Sequence, residues 1–223
     1  MCSRPSPSQP SRVRSDRSSS APTIRTSKPS VNPANAGHFA HLWCFVGSGN
    51  TLGAPETIAY GYTPSWDATE ITDWFSAIDG FIQCDGYAGY SCEVEDDDGQ
   101  TLVAVPPERR LGCGMHIRSK FHDALLAKDG RAVIPLKLFA DLYTVEDDCK
   151  VCGLDADARG EERRRRSVPL LDALDDWVDK FHPKLLPKSP LRRATTYAIN
   201  QRVFFRHCFI DGRFEIDNGR VER

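Results

Sequence analysis

The stretch Phe81-Ile82-Gln83-Cys84-Asp85-Gly86-Tyr87-Ala88-Gly89-Tyr90 decides how this chain reads. Its short apolar run ends on Asp-Gly, a turn pair, so it reads as a buried strand that delivers a carboxylate to the edge of a sheet. Upstream, Phe39-Ala40-His41-Leu42-Trp43-Cys44-Phe45-Val46 reads as a mostly buried strand. Residues 57–63, where Ile58, Tyr60 and Tyr62 alternate, read as a second. Gly47-Ser48-Gly49-Asn50 between them supplies turn chemistry for a hairpin. Residues 67–78 are a helix candidate. Strand, strand, helix, strand with a terminal acid is a mixed α/β pattern.

After residue 115 the periodicity becomes helical. Leu170, Leu171, Leu174, Trp177, Val178 and Phe181 make one apolar stripe, with Asp172, Asp175, Asp176 and Asp179 between them. Phe139, Leu142 and Tyr143 point to an earlier helix. Ser189-Pro190 supplies an N-cap and a favoured first residue for a later one, running to about Phe205. The four tryptophans, at 43, 66, 74 and 177, read as packing residues. No internal repeat interrupts this order.

Residues 1–37 hold ten Ser, six Pro and six Arg or Lys against the single acid Asp16, a composition that reads as a disordered tail. It carries no apolar segment of a secretory signal, and no later segment is long enough to span a membrane. The expectation is a soluble, cytoplasmic protein. With the tail at +5 and the whole chain at −2, residues 38–223 carry −7, so any surface that grips phosphates must be local. The eight Cys lack the dense spacing of a disulfide scaffold.

Two further segments carry candidate chemistry. Ile216-Asp217-Asn218-Gly219-Arg220-Val221-Glu222-Arg223 lets Asp217 or Asn218 cap a helix that places Glu222 about one turn in. Gly112-Cys113-Gly114-Met115-His116-Ile117-Arg118-Ser119-Lys120-Phe121 combines Cys-x-x-His with a basic turn. Together with Asp85-Gly86-Tyr87-Ala88-Gly89-Tyr90, and with Lys188-Ser189-Pro190-Leu191, Ala194, Tyr197-Ala198 and 211–218, these segments resemble the IS66 family of insertion-sequence transposases.

That resemblance implies a ribonuclease-H-like α/β fold with a mixed sheet and an inserted helical block at about 117–206. It implies DDE-type DNA cleavage and strand transfer, with Asp85 and Glu222 as catalytic metal ligands for Mg²⁺ or Mn²⁺, and Cys113, His116, Arg118 and Lys120 in supporting or DNA-contacting roles. Implied partners are insertion-sequence DNA ends, with a second copy or an intact transposase. Gly219, Met115 and Ser119 depart from the family pattern. The strand that would bear the family's first Asp falls in Ser/Pro-rich sequence, Asp16 lacks apolar flanks, and the pattern's basic continuation is missing after Arg223. The expectation is a partial transposase, truncated at both ends and inactive alone.

Other readings remain beside it. A non-catalytic DNA-binding or dimerising fragment is one. A small zinc-stabilised module is another, because Cys113-x-x-His116 and Cys149-x-x-Cys152 each have ligand spacing. Arg163-Arg164-Arg165-Arg166 after Glu161-Glu162 reads as the solvated face of a helix supported by Glu-to-Arg pairs.

Overall fold

Strands form where β-branched and aromatic residues alternate. The computed structural model describes residues 21–27, 41–48, 56–63, 72, 74–75, 78, 80–91, 93–95, 99 and 101–219. Strand β1 (Ala21–Ser27) pairs antiparallel with β2 (His41–Ser48), and β2 with β3 (Glu56–Thr63). The expected hairpin runs in register from His41 opposite Thr63 to Ser48 opposite Glu56. Its faces are assigned by the aromatic residues of β2. Trp43 is buried, Phe45 shares its face, both meet Phe75, and Trp43 Nε1 donates to Thr63 Oγ1 at 2.9 Å. Gly61 takes the flat side of the Trp74 ring, where a Cβ would stand 2.6 Å from Cζ3. Ile58, Tyr60 and Tyr62 therefore face outward, exposed by more than half.

On the other edge of β1 the sheet turns parallel. Strand β4 (Ile82–Gln83) pairs with β1 through Thr23 and Gln83, and β7 (Arg110–Leu111) lies beyond it, giving the order β3-β2-β1-β4-β7. A separate hairpin of β5 (Glu93–Glu95) and β6 (Thr101–Val103) bridges β4 to β7 in sequence. β1 corrects the expected tail over 1–37: residues 21–27 form the middle strand, bonded on both edges. Thr23, Ile24 and Thr26 suit a strand, but averaging composition over the Ser/Pro-rich segment hides them. The remainder of that segment lies outside the described residues. So does most of the helix candidate at 67–78, of which Thr72, Trp74 and Phe75 are helical.

The helical block comprises α1 (Gly114–Leu126), α2 (Val133–Val151), α3 (Ala156–Glu162), α4 (Val168–Phe181) and α5 (Pro190–His207), with a π-helical turn at Arg163–Ser167 between α3 and α4. Its outer limits fall three residues before and one after the expected 117–206. Ser189 caps α5 as expected, its Oγ accepting from Arg192 N at 3.2 Å, with Pro190 in the first turn. The apolar stripe of α4 buries Leu171, Leu174 and Val178. Its aspartates meet α5: Arg202 binds Asp175 and Asp179, and Arg206 binds Asp172 and Asp175. Among the described residues no helix is long and apolar enough to cross a membrane.

The sheet separates two apolar cores. Trp43, Phe75, Ile82, Cys84, Tyr90, Ala104 and Val105 fill one; Leu111, Ile117, Phe121, Phe139, Leu171, Leu191 and Phe205 belong to the helical one. Gln83 faces that helical side. Its buried amide donates to Gly112 O at 3.0 Å and Glu215 O at 2.9 Å, tying β4 to the chain on both sides of the helical block. Satisfying a buried amide in this way avoids the desolvation cost that an unpaired one would carry.

Candidate functional site

Asp85 lies two residues beyond β4, after Cys84 N has made one more parallel bond to Leu111 O at 3.1 Å. The turn that follows is built from every member of its motif. Asp85 Oδ1 accepts from Tyr87 N at 3.0 Å, closing an Asx turn, and no described residue is bonded to Oδ2. Gly86 N donates to the Tyr197 hydroxyl at 3.0 Å, and a Cβ at Gly86 would stand 2.7 Å from that ring. Tyr87 and Tyr90 pack edge to face at 5.4 Å, and both meet Trp43. Gly89 clears the Tyr87 ring, which a Cβ would meet at 2.2 Å. Two glycines thus allow two close aromatic approaches, and two tyrosines anchor the turn in the core.

Arg110 holds the turn from β7. Its guanidinium donates to Asp85 O at 2.9 Å and Ser91 Oγ at 2.8 Å, and it lies over the Phe204 ring at 4.3 Å. A buried cation beside the carboxylate-bearing turn fixes its backbone while leaving the side chain half-exposed. Burial pushes the Tyr197 phenol up, and the negative charge of Asp85 adds to the shift, so Tyr197 stays protonated.

The Cys113 segment meets the end of the described chain. Cys113 Sγ donates to Asn218 Oδ1 at 2.8 Å and accepts from Asn218 N, while Gly114 N donates to Ile216 O at 2.9 Å. Burial raises the Cys113 thiol to about 12, against bonds from backbone amides that oppose the shift, so it is a neutral donor. Its work here is to hold Asn218. Asp217 accepts from the Tyr143 hydroxyl at 2.8 Å and from Gly219 N at 2.8 Å. Segments about 100 residues apart in sequence are joined at the first turn of α1.

His116 is half-buried in that turn, and Arg118 and Lys120 are exposed. Two helical residues apart means about 200° around the axis, so the two cations leave α1 on different sides. Lys120 Nζ lies 5.7 Å from the Tyr197 ring centroid, next to the Asp85 turn. The charge of Arg118 acts instead on Tyr143, beside Asp217. Glu222 lies outside the described residues. Among the described residues no three His, Cys, Asp or Glu side chains converge as a metal site requires.

A buried ionic cluster supports this arrangement from below. Glu146 Oε2 accepts from Arg159 at 2.5 Å and Arg163 at 2.8 Å, and Oε1 from Arg163 at 2.8 Å. Arg163 also donates to the carbonyls of Cys208, Asp211 and Phe214, and Arg159 to that of Gly212. Burial alone would push the Glu146 carboxyl up, but Arg163 and Arg159 hold it below the usual range. The cluster clamps 208–215, the loop that feeds Asp217 and Asn218. Sequence reasoning gave Arg163 to a solvated face. It quoted Gln83, Tyr143 and Tyr197 within strand or helix segments without giving them a role at the site and passed over Arg110; the partners of all four lie far away in sequence.

Comparison with known proteins follows this geometry. The chain is 26% identical over 171 residues to the uncharacterized protein y4jD of Sinorhizobium fredii (strain NBRC 101917 / NGR234), covering 76% of this chain and 32% of that protein. It is 24% identical over 197 residues to the uncharacterized protein y4hP of the same strain, covering 82% of this chain and 34% of that protein. The chain thus spans about a third of the length of the curated relatives it matches. No solved structure matches it. The family described as Transposase IS66 family matches residues 24–223, which takes in the last four residues of β1, the Asp85 turn, the Cys113 segment and the helices that follow, and so the chain belongs to the IS66 family of transposases.

Proposed function

We propose that this chain is the core of a ribonuclease-H-like transposase domain that holds DNA beside Asp85. The carrying observation is the Asp85 turn at the carboxyl end of β4, in a sheet whose order β3-β2-β1-β4-β7 changes from antiparallel to parallel at β1. Ligands of open α/β sheets bind beyond the carboxyl ends of the parallel strands. Asp85 stands there with one carboxylate oxygen unbonded by the described residues and with cations nearby.

In this reading Asp85 and Glu222 are ligands for Mg²⁺ or Mn²⁺, which would activate the nucleophile and stabilise the leaving oxygen of a phosphodiester. Hard cations need several carboxylate oxygens, and the described residues bring one carboxylate to this turn. β1 supplies none. Its sequence is Ala-Pro-Thr-Ile-Arg-Thr-Ser, without an acid. This favours a chain that binds DNA without cleaving it unaided, the second reading made from the sequence.

Mn²⁺ titration followed by electron paramagnetic resonance tests the site. Asp85→Asn should weaken whatever Mn²⁺ binding the chain has. Mn²⁺ binding indifferent to this substitution would remove Asp85 from the role of ligand. In parallel, the unaltered chain with Mn²⁺ and supercoiled DNA should give no nicking. Nicking abolished by Asp85→Asn would show that the described carboxylates are completed by another group, and that the chain is a nuclease after all.

A further inference from the structure

We infer that the face formed by Lys120 of α1, Lys188 and Arg193 at the start of α5, and the Tyr197 ring is a track for the phosphate backbone of duplex DNA leading to the Asp85 turn. This rests on the reading of Asp85 above and names the surface by which the same site takes its partner. Two adjoining clefts define it. One, of about 400 Å³, is lined by Lys120, Asp123, Arg193 and Tyr197; the next, of about 490 Å³, by Lys188, Arg192, Arg193, Tyr197 and Asn200. Arg193 and Tyr197 line both, so the clefts adjoin at these two side chains. Tyr197 closes the track at its inner end, where its hydroxyl accepts from Gly86 N, one residue from Asp85.

Exposed lysines elsewhere, Lys137, Lys150 and Lys184 among them, also lack a carboxylate partner among the described residues; this face adds three such cations along clefts that reach the Asp85 turn, away from the paired arginines. Arg159, Arg163, Arg164, Arg165, Arg166, Arg202, Arg206 and Arg213 each bind a carboxylate. Lys120, Lys188 and Arg193 are exposed and have no acid partner among the described residues, although the chain as a whole is acidic. Asp123 is the acid within the clefts, and it binds none of the three. Arg192 is committed to the His182 carbonyl and serves as wall. Cations left unpaired along a groove are free to replace the counterions of a phosphate chain.

Lys188 offers a way to separate contact from folding. Its φ is 65°, in the left-handed region where glycine is the unstrained choice, and it sits at the rim of the outer cleft. Lys128 shares this conformation just past α1, so the geometry itself is a tolerated one.

Fluorescence anisotropy of the full chain with a labelled 25-base-pair duplex, in EDTA, tests the track without any metal. Each phosphate contact contributes about 0.9 to the slope of log affinity against log salt, so removing one should shrink the affinity lost between 50 and 200 mM salt by about threefold. Lys120→Ala, Lys188→Ala and Arg193→Ala should each do so, and the triple variant should lower the slope by about 2.7. Lys188→Gly should weaken DNA binding as Lys188→Ala does while leaving the thermal midpoint unchanged or higher, which separates contact from folding. Arg164→Ala, in a paired run elsewhere, should leave the slope as it is.

Equal slopes in the unaltered chain and the triple variant, or no duplex binding at all, would overturn the track. So would an equal loss in Arg164→Ala. Asp85→Asn should keep the slope in EDTA, so a chain that binds duplex along this face yet shows no Asp85-dependent Mn²⁺ binding would reject the metal reading and keep the track.

Discussion

Arg163 and Arg193 stand thirty residues apart and treat their charge in opposite ways. Arg163 is fully buried, and its donors are committed to Glu146 and to three carbonyls of the 208–215 loop. Arg193 is exposed, and no carboxylate among the described residues binds it, although Asp123 lines the same cleft. A guanidinium can act as an internal strut or as an external grip, and the sequence around it does not say which. What decides is whether a loop with unsatisfied carbonyls folds back over it. The contrast predicts that removing struts damages folding, whereas removing grips damages binding.

The largest effect should come from breaking the strut. Glu146→Ala leaves two buried guanidiniums without their common carboxylate, and removing one partner of a buried ion pair costs about 3–5 kcal/mol. Urea denaturation of this variant should show a midpoint shifted accordingly, or no folded baseline. A loss under about 1 kcal/mol would mean the cluster is hydrated and the contrast with Arg193 false.

The same cluster should appear in the acid limb of stability. Glu146 is held below the usual carboxylate range by Arg163 and Arg159, so it binds its proton less readily folded than unfolded. Its contribution is complete above the unfolded value of about 4.3 and is lost as pH falls through the lower folded value. Unfolding free energy measured from pH 6 to pH 3 should fall along that limb, and Glu146→Gln should flatten part of it. An identical slope in the variant would assign the acid sensitivity to other carboxylates.

A smaller effect should arise where close approach, rather than charge, builds the site. Gly86→Ala drives a Cβ into the Tyr197 ring, which must shift and release its bond to Gly86 N. Overpacking of this kind costs about 1–3 kcal/mol. Near-ultraviolet circular dichroism should report the moved tyrosine, and duplex binding should weaken even though no cation has been touched. An unchanged spectrum would show that Tyr197 does not close the track.

How much of this was legible in the sequence follows from the range of each interaction. The hairpin, the α4 stripe and the Ser189 cap depend on neighbours within one turn or on alternation, so periodicity exposed them. β1 did not show, because its bonds run to 42–48 and to Gln83 while its composition blends with the tail. Asp85 was found through the motif, and the reason for the motif's glycines lay in Tyr197 and Tyr87, which only folding brings near. Cys113 was singled out as one half of Cys-x-x-His; its partner is Asn218, 105 residues on. Arg163 was misassigned because burial of a charge depends on what covers it.

The smallest effect should come from within the arginine run itself. Arg164 and Arg165 pair with Glu161 and Glu162 one helical turn back, at 2.5 and 2.6 Å, with all but the Glu162 side chain largely in solvent. An exposed pair gains little, because water and salt screen the attraction and two long side chains lose freedom to make it. Removing either cation also leaves its glutamate free to turn to solvent rather than stranded. Arg164→Ala and Arg165→Ala should therefore leave the urea midpoint where it is at 0.15 M salt, and Arg163→Ala should move it as far as Glu146→Ala does. Three neighbours of the same type would then differ by the entire range seen in the protein. A midpoint lowered alike by all three would mean that the π-helical turn carries them into a single network, and that the strut does not end at Arg163.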